Sequence, residues 1–263
     1  MSGMLAPEVL VLGASGRVGE GIVAALLEAG SPVLAVGRDS SRLQRLAELH
    51  PGEPALQLLR GSVASDREAA RLATRIAQRP RPLRAIVDAI GGGLRSGRLL
   101  DQPTTSLRRS LDTDLLPHLA AVHHLLPLLG GNDAGPARYV LIGGPQAECG
   151  WSGHGHASVS GAALRMLAKV LHGEAQPLGV CVQLLAVESP VWTAENAAHA
   201  CAGWPSALAV GRNVVSLLAG AGDATRCVVT YSAPRAAPPH RLLASDIATP
   251  LHTLASPGSG QAV

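Results

Sequence analysis

The stretch Val9-Leu-Val-Leu-Gly13-Ala-Ser-Gly16-Arg-Val-Gly19 decides the fold. Four apolar residues run into a glycine-rich turn, and the apolar periodicity then changes to that of a helix ending at Gly30. Such a turn cradles a dinucleotide pyrophosphate for reasons of backbone chemistry. Gly13 allows the tight turn off the strand, Gly16 lets the main chain approach phosphate without a Cβ in the way, and Gly19 permits close packing of helix on sheet. Unpaired N–H groups at the helix start face the anion. Ser15, Arg17 and Val18 complete the candidate phosphate loop.

Outward from this turn, strand-like and helix-like segments alternate. Strands are expected over 8–12, 32–36, 55–59, 85–88, 138–142, 180–185 and 226–231. Helices are expected over 19–29, 40–49, 65–78, 105–129, 157–173 and 206–219. The rhythm predicts an α/β fold, a doubly wound parallel (Rossmann) sheet of about seven strands with helices on both faces. Strands covered on both faces should be apolar throughout, as Val9 to Leu12 and Val180 to Leu185 are. One domain over 1–232 is expected, followed by a Pro-, Ala- and Ser-rich tail over 233–263.

Composition narrows the function classes. The net charge of +3 comes from scattered arginines with no long basic run, so nucleic acid is not an expected partner. Cys149, Cys181, Cys201 and Cys227 are far apart and form no Cys-x-x-Cys pair, which argues against a disulfide framework or zinc site and for buried thiols in a reducing cytoplasm. No apolar run reaches the roughly 18 residues of a membrane span, and a soluble cytoplasmic protein with no membrane partner is expected.

The second strand ends Val36-Gly37-Arg38, followed by Asp39 and Arg42-Leu43. An arginine at this point pairs with a 2′-phosphate, whereas an acid would hold the ribose hydroxyls, so NADPH (NADP) is expected over NADH. Ser62-Val63 is placed beside the adenine and Ile90-Gly91-Gly92 beside the cofactor ribose.

From Glu8 to about Tyr231 the order of segments resembles the short-chain dehydrogenase/reductase family. Ala85-Ile-Val-Asp-Ala-Ile-Gly91 sits where that family has Asn-Asn-Ala-Gly, Ser110-Leu-Asp-Thr-Asp114 where a helix carries an asparagine, and Ser160-Gly-Ala-Ala-Leu164 through Leu167-Ala-Lys-Val-Leu171 where the helix begins with the catalytic tyrosine. The three-residue spacing of Gly13, Gly16 and Gly19 is that of the atypical and extended branches. The resemblance implies a proton-donating tyrosine and a lysine four residues later. Here those positions fall on Ala157 and Gly161, the substrate-binding serine on Gly144 after Gly143, and the helix asparagine on Asp114. Realignment does not restore them: the only tyrosines are Tyr139 and Tyr231, the only lysine is Lys169, and neither tyrosine precedes it by four.

In this respect the chain is similar to atypical ketoreductases of aromatic polyketide pathways, those of angucyclinone (simocyclinone-type) biosynthesis among them. The resemblance implies carbonyl reduction of a polycyclic aromatic substrate, with the proton drawn from substrate or water. Positioning beside a nicotinamide supplies much of such a barrier, and general acid catalysis adds about 10²- to 10⁴-fold. His154-Gly-His156-Ala-Ser158 lies where the missing tyrosine would project. These histidines either donate the proton, since imidazole titrates near neutrality, or are loop residues facing a pocket or solvent. No neighbouring Cys or carboxylate completes a metal site with them, and no metal is expected. Asp114 binds a water or caps a neighbouring backbone.

The segment 188–205, with Trp192 and Trp204, matches the loop that closes over substrate in this family, and the two rings either stack on a flat ligand or anchor the core. Homo-oligomers, dimers or tetramers through the helices over 105–129 and 157–173, are implied. At least two of His118, His123 and His124 are expected in a subunit interface or on the surface. A catalytically inactive NADP-binding sensor or scaffold, or a non-redox cyclase or isomerase, is compatible with the same fold.

Overall fold

The computed structural model describes residues 6–91, 95–129, 136–201 and 203–231. Gly92 and the tail over 233–263 lie outside them. Seven parallel strands form one sheet in the order β3-β2-β1-β4-β5-β6-β7. They are β1 (Glu8–Leu12), β2 (Val33–Gly37), β3 (Leu56–Arg60), β4 (Leu83–Asp88), β5 (Ala137–Gly143), β6 (Val180–Ala186) and β7 (Val228–Thr230). The helices are α1 (Arg17–Glu28), α2 (Ser40–Leu49), α3 (Asp66–Ala77), α4 (Thr104–Asp114), α5 (Leu116–Leu125), α6 (Gly155–Ala175) and α7 (Ala207–Leu218).

Side-chain alternation along β1 divides the core in two. Leu10 and Leu12 pack with Leu72 of α3, Leu125 of α5 and Ala168 of α6, while Val9 and Val11 pack on the other face with Ile22 of α1 and Val214 of α7. The doubly covered strands β1, β2 and β6 are buried along their whole length. Edge strand β3 is not: Gln57, Leu58 and Arg60 are exposed, because it has a neighbour on one side only.

The helix expected over 105–129 is broken. Leu115 lies between α4 and α5 with φ −125° and ψ −56°, outside helical values. Two residues later Pro117 lacks the N–H of a continuous helix and its ring crowds the carbonyl of Thr113, so the chain cannot run through. Pro127 ends α5 in a short 3₁₀ turn, Leu126–Leu128. Among the described residues no helix is long and apolar enough to cross a membrane.

β1 pairs with β2 on one side and β4 on the other, so the crossovers from its two neighbours leave in opposite directions. Open α/β sheets form a crevice at such a switch point, outside the carboxyl ends of the strands.

Candidate dinucleotide site

A cleft of about 810 Å³ opens at that point, within the ~300–1,000 Å³ usual for small-molecule sites. Gly13, Ser15 and Gly16 form one wall. Gly13 has φ +69°, a conformation that L side chains rarely adopt, and a Cβ there would lie 2.6 Å from the Ala89 oxygen. Gly19 is required for a different contact from the expected one. A Cβ on it would meet the Gly13 oxygen at 2.1 Å and the Ala14 Cα at 2.9 Å, so its bareness lets α1 close on the turn rather than on the sheet. Gly16 caps α1 with no side-chain hydrogen bond to the first-turn amides. Arg17, Val18 and Gly19 belong to α1 and are not part of the cleft lining.

Of the other residues assigned to the cofactor from the sequence, Arg38, Ser62, Val63, Ile90 and Gly91 line the cleft. The exposed guanidinium of Arg38 makes no hydrogen bond or ion pair among the described residues. Its neighbour Asp39 also lines the cleft, and its Oδ1 is engaged as the N-cap of α2. The carboxylate accepts from the Ser41 N–H at 2.8 Å and the Ser41 hydroxyl at 2.7 Å. The Ser41 hydroxyl and then the backbone amides of Arg42 and Ser41 hold its pKa below the usual value. Arg42 also lines the cleft, 4.0 Å from Asp39. It is one turn into α2, a position that the spacing Arg38-x-x-x-Arg42 signals.

The opposite end of the cleft is walled by Arg95, Asp112, Asp114 and Pro117. Asp114 is the last residue of α4, at the helix break, and accepts from the Thr113 hydroxyl at 2.9 Å. Sequence reasoning missed Arg95 and Pro117, which also line the cleft, Pro117 just after the break at Leu115.

None of His154, His156 and Ser158 lines this cleft. His154 precedes α6, with its Nδ1 3.3 Å from the backbone oxygen of Arg95. The Ser158 hydroxyl accepts from the Trp151 N–H at 3.0 Å. The His156 side chain is buried. Of the positions aligned with the missing donors, Ala157 and Gly161 lie within α6, and a Cβ on Gly161 would sit 3.2 Å from Ala147, where the helix presses on the 3₁₀ turn Pro145–Ala147. Gly144 begins that turn.

Trp192 is 44% exposed, and its backbone N–H donates to the Pro205 carbonyl at 2.7 Å. Trp204 is half-buried. His118 is buried, His123 exposed and His124 half-buried beside Asp66 at 3.2 Å. The expectation that the thiols are buried holds for Cys181 and in part for Cys227, whose pKa values burial pushes up. It fails for Cys149 and Cys201, which are exposed in loops beyond the strand ends. No group of three His, Cys, Asp or Glu that could hold a metal forms among the described residues.

Residues 7–198 match the short chain dehydrogenase family. No curated protein matches the sequence significantly. Among solved structures, a short-chain type dehydrogenase/reductase from Mycobacterium ulcerans superposes with TM-score 0.72 at 20% identity, covering 86% of this chain and 89% of its own. A short chain oxidoreductase from Pseudomonas aeruginosa PAO1 described as containing an atypical catalytic center superposes in its apo form with TM-score 0.73 at 18% identity, covering 88% and 98%. Its NADPH-bound form gives TM-score 0.72 at 19% identity, with the same coverage.

Proposed function

The chain belongs to the short-chain dehydrogenase family, and we propose that it is an NADPH-dependent ketoreductase of the atypical kind. It reduces a carbonyl of a polycyclic aromatic, polyketide-type substrate, and the substrate's own hydroxyl or water supplies the proton. One observation carries the cofactor choice: at the end of β2 the Arg38 guanidinium lines the cleft with no hydrogen bond or ion pair among the described residues, while Oδ1 of the adjacent Asp39 is engaged in capping α2. The NADPH-bound Pseudomonas aeruginosa relative supports the same choice.

The residues present fit the dinucleotide. The turn Gly13 to Gly16 and the uncapped start of α1 hold the pyrophosphate, Arg38 with Arg42 the 2′-phosphate, Ser62 and Val63 the adenine, and Ile90 and Gly91 the ribose. The nicotinamide, when bound, supplies a hydride to the carbonyl carbon. The carbonyl oxygen then needs a proton. Neither Ala157 nor Gly161 carries one, and the Ser158 hydroxyl and His154 ring are engaged with the local backbone. A phenol next to the carbonyl hydrogen-bonds the oxygen as charge develops there, which is why a hydroxylated aromatic ketone suits this site. Trp192 offers a partly exposed aromatic face in the loop over 188–205 for a flat ring system. A nucleotide sensor without turnover is favoured by one observation: no residue of α6 lines the cleft.

Titration with NADPH, followed by turnover of a fused-ring ortho-hydroxyaryl ketone and its O-methyl ether, tests the reading. NADPH binding should saturate, simultaneous replacement of Ser15, Arg17 and Arg38 by alanine should abolish it, and methylation should slow reduction about 10²-fold. Reduction that continues unchanged in the triple variant overturns the cofactor assignment. Saturable binding without reduction of any such ketone leaves the sensor.

A further inference from the structure

Behind the cleft, and outside its lining, the Asp88 carboxylate at the end of β4 is fully buried. A carboxylate leaves water only where donors replace it. Oδ2 accepts from His118 Nδ1 at 2.9 Å and from the Tyr139 hydroxyl at 3.1 Å, and Oδ1 accepts from the Ile90 N–H at 3.2 Å. Burial first, and then the charge of Asp88, hold the Tyr139 phenol well above its ordinary pKa, so it remains an O–H donor.

Two of these three bonds lead to a wall of the cleft. The Ile90 N–H belongs to the same peptide unit as the Ala89 oxygen, the atom against which Gly13 packs, and Ala89, Ile90 and Gly91 line the cleft. His118 follows Pro117, which lines the cleft together with Asp114 one turn earlier. The third bond, to Tyr139 in the middle of β5, anchors the carboxylate to the sheet. Apolar side chains of similar volume would often serve stability as well as a buried ionic group does. What the carboxylate adds is direction: one group fixes the peptide behind the phosphate turn and the start of α5 relative to each other.

We propose that Asp88 is a positioning residue of the dinucleotide cleft, setting the separation between the Gly13 turn with its Ala89–Gly91 neighbour and the Asp114–Pro117 wall. The proposal rests on the reading of the cleft as the NADPH site, and its test separates the two.

NADPH affinity, thermal midpoint and hydrogen exchange at the Ile90 amide in cofactor-free protein are measured for the wild type, Asp88→Ala, Asp88→Asn, His118→Phe and Leu125→Ala. The last removes a fully buried side chain from the same helix as His118, away from the cleft lining. Asp88→Ala and His118→Phe should weaken NADPH binding about tenfold, the scale of losing a hydrogen bond to a charged group. Asp88→Asn keeps an oxygen for the Ile90 N–H, and its amide can face His118 in the other tautomer, so affinity should recover to within about threefold of the wild type. Leu125→Ala should lower the midpoint with NADPH affinity unchanged. Ile90 exchange should accelerate in Asp88→Ala and not in Leu125→Ala. Unchanged affinity and unchanged Ile90 protection in Asp88→Ala, or an affinity loss that Leu125→Ala reproduces, overturns the proposal. Should Asp88→Ala fail to fold, His118→Phe carries the affinity measurement and Asp88→Leu, which offers the Ile90 N–H no acceptor, the exchange measurement, with unchanged Ile90 protection again overturning the proposal. A wild type that binds no NADPH defeats the cofactor reading instead, and Ile90 exchange then still decides whether Asp88 positions the wall.

Discussion

Gly211 of α7 lies directly over the backbone of Gly21 in α1: a Cβ on Gly211 would come within 2.4 Å of the Gly21 oxygen and 2.9 Å of its carbonyl carbon. Both atoms are main chain, so the contact cannot relax by a rotamer change. In an exposed helix, Gly→Ala stabilises by ~1 kcal/mol through helix propensity. Here overpacking, which costs ~1–3 kcal/mol, should win. Gly211→Ala is therefore expected to lower the urea midpoint, while Gly173→Ala in α6, where a Cβ meets nothing within 4 Å, should raise it. Equal shifts of the same sign would refute the steric account.

Arg38 and Asp39 are adjacent but have opposite commitments, one side chain free and the other capping α2. Replacing Arg38 by alanine should weaken NADPH by about tenfold, because a charge-assisted bond in an exposed position contributes at the low end of its range. NADH affinity should hardly change. The NADPH loss should shrink as salt is raised, since the screening length falls to about 3 Å at 1 M. A parallel loss for both nucleotides would place Arg38 in the fold of the loop rather than in phosphate recognition.

The phosphate turn was legible in the sequence because its parts are contiguous. The apolar run Val9 to Leu12 and the glycines report on one another within eleven residues. The break at Leu115 was also written in the chain, at Pro117, but the apolar pattern on both sides of it reads as one long helix. Asp88, His118 and Tyr139 are a different case. Each looks ordinary in its own segment, and only the β4–β5 pairing and the turn into α5 bring them to one carboxylate. His154 and Ser158 are close to Ala157 in sequence, and that proximity is all that marks them. The contact of the His154 ring with the Arg95 carbonyl depends on the pairing of Gly97 with Gly153, 56 residues later in the chain, which no local pattern encodes.

Neither His154 nor His156 lines the cleft, which bears on where the proton comes from. With proton delivery by substrate or water, His154→Ala and His156→Ala should each keep kcat/KM within about threefold of the wild type, far short of the 10²- to 10⁴-fold of a lost general acid. Its pH profile should have no limb near 6.5, where an imidazole titrates. A limb there that disappears in either variant would assign the proton to that histidine.

Tyr139 makes alkaline stability measurable at a single residue. Burial, reinforced by the Asp88 charge, raises its pKa well above the 10.0 of a free phenol. A raised folded pKa contributes stability that is fully present below the unfolded value and lost as pH rises towards the folded one. Above pH 10 the unfolded chain therefore releases this proton and the folded chain does not, so the residue should cost ~1.4 kcal/mol per pH unit. Tyr139→Phe should start from a lower stability at neutral pH, having lost a donor to Asp88, and decline less steeply between pH 10 and 11 as followed by urea unfolding. Parallel declines would mean that the phenol ionises in the folded protein as it does in the unfolded one.

Val159, Met166 and Val170 form a stripe along α6 and are 40%, 58% and 49% exposed, and Leu116 and Leu119 on α5 are exposed at 46% and 45%. Scattered single apolar side chains need no partner, but a stripe at spacings of seven and four lies on one helical face. A second copy of the chain is the occupant expected for it. Light scattering on the wild type at micromolar concentration should give a dimer or tetramer. Met166→Glu combined with Val170→Glu should give a folded monomer, because these side chains are solvated in the single chain and the added charges would be desolvated only on association. A wild type that is monomeric under these conditions, or a double variant whose assembly is undisturbed, removes α6 from the interface.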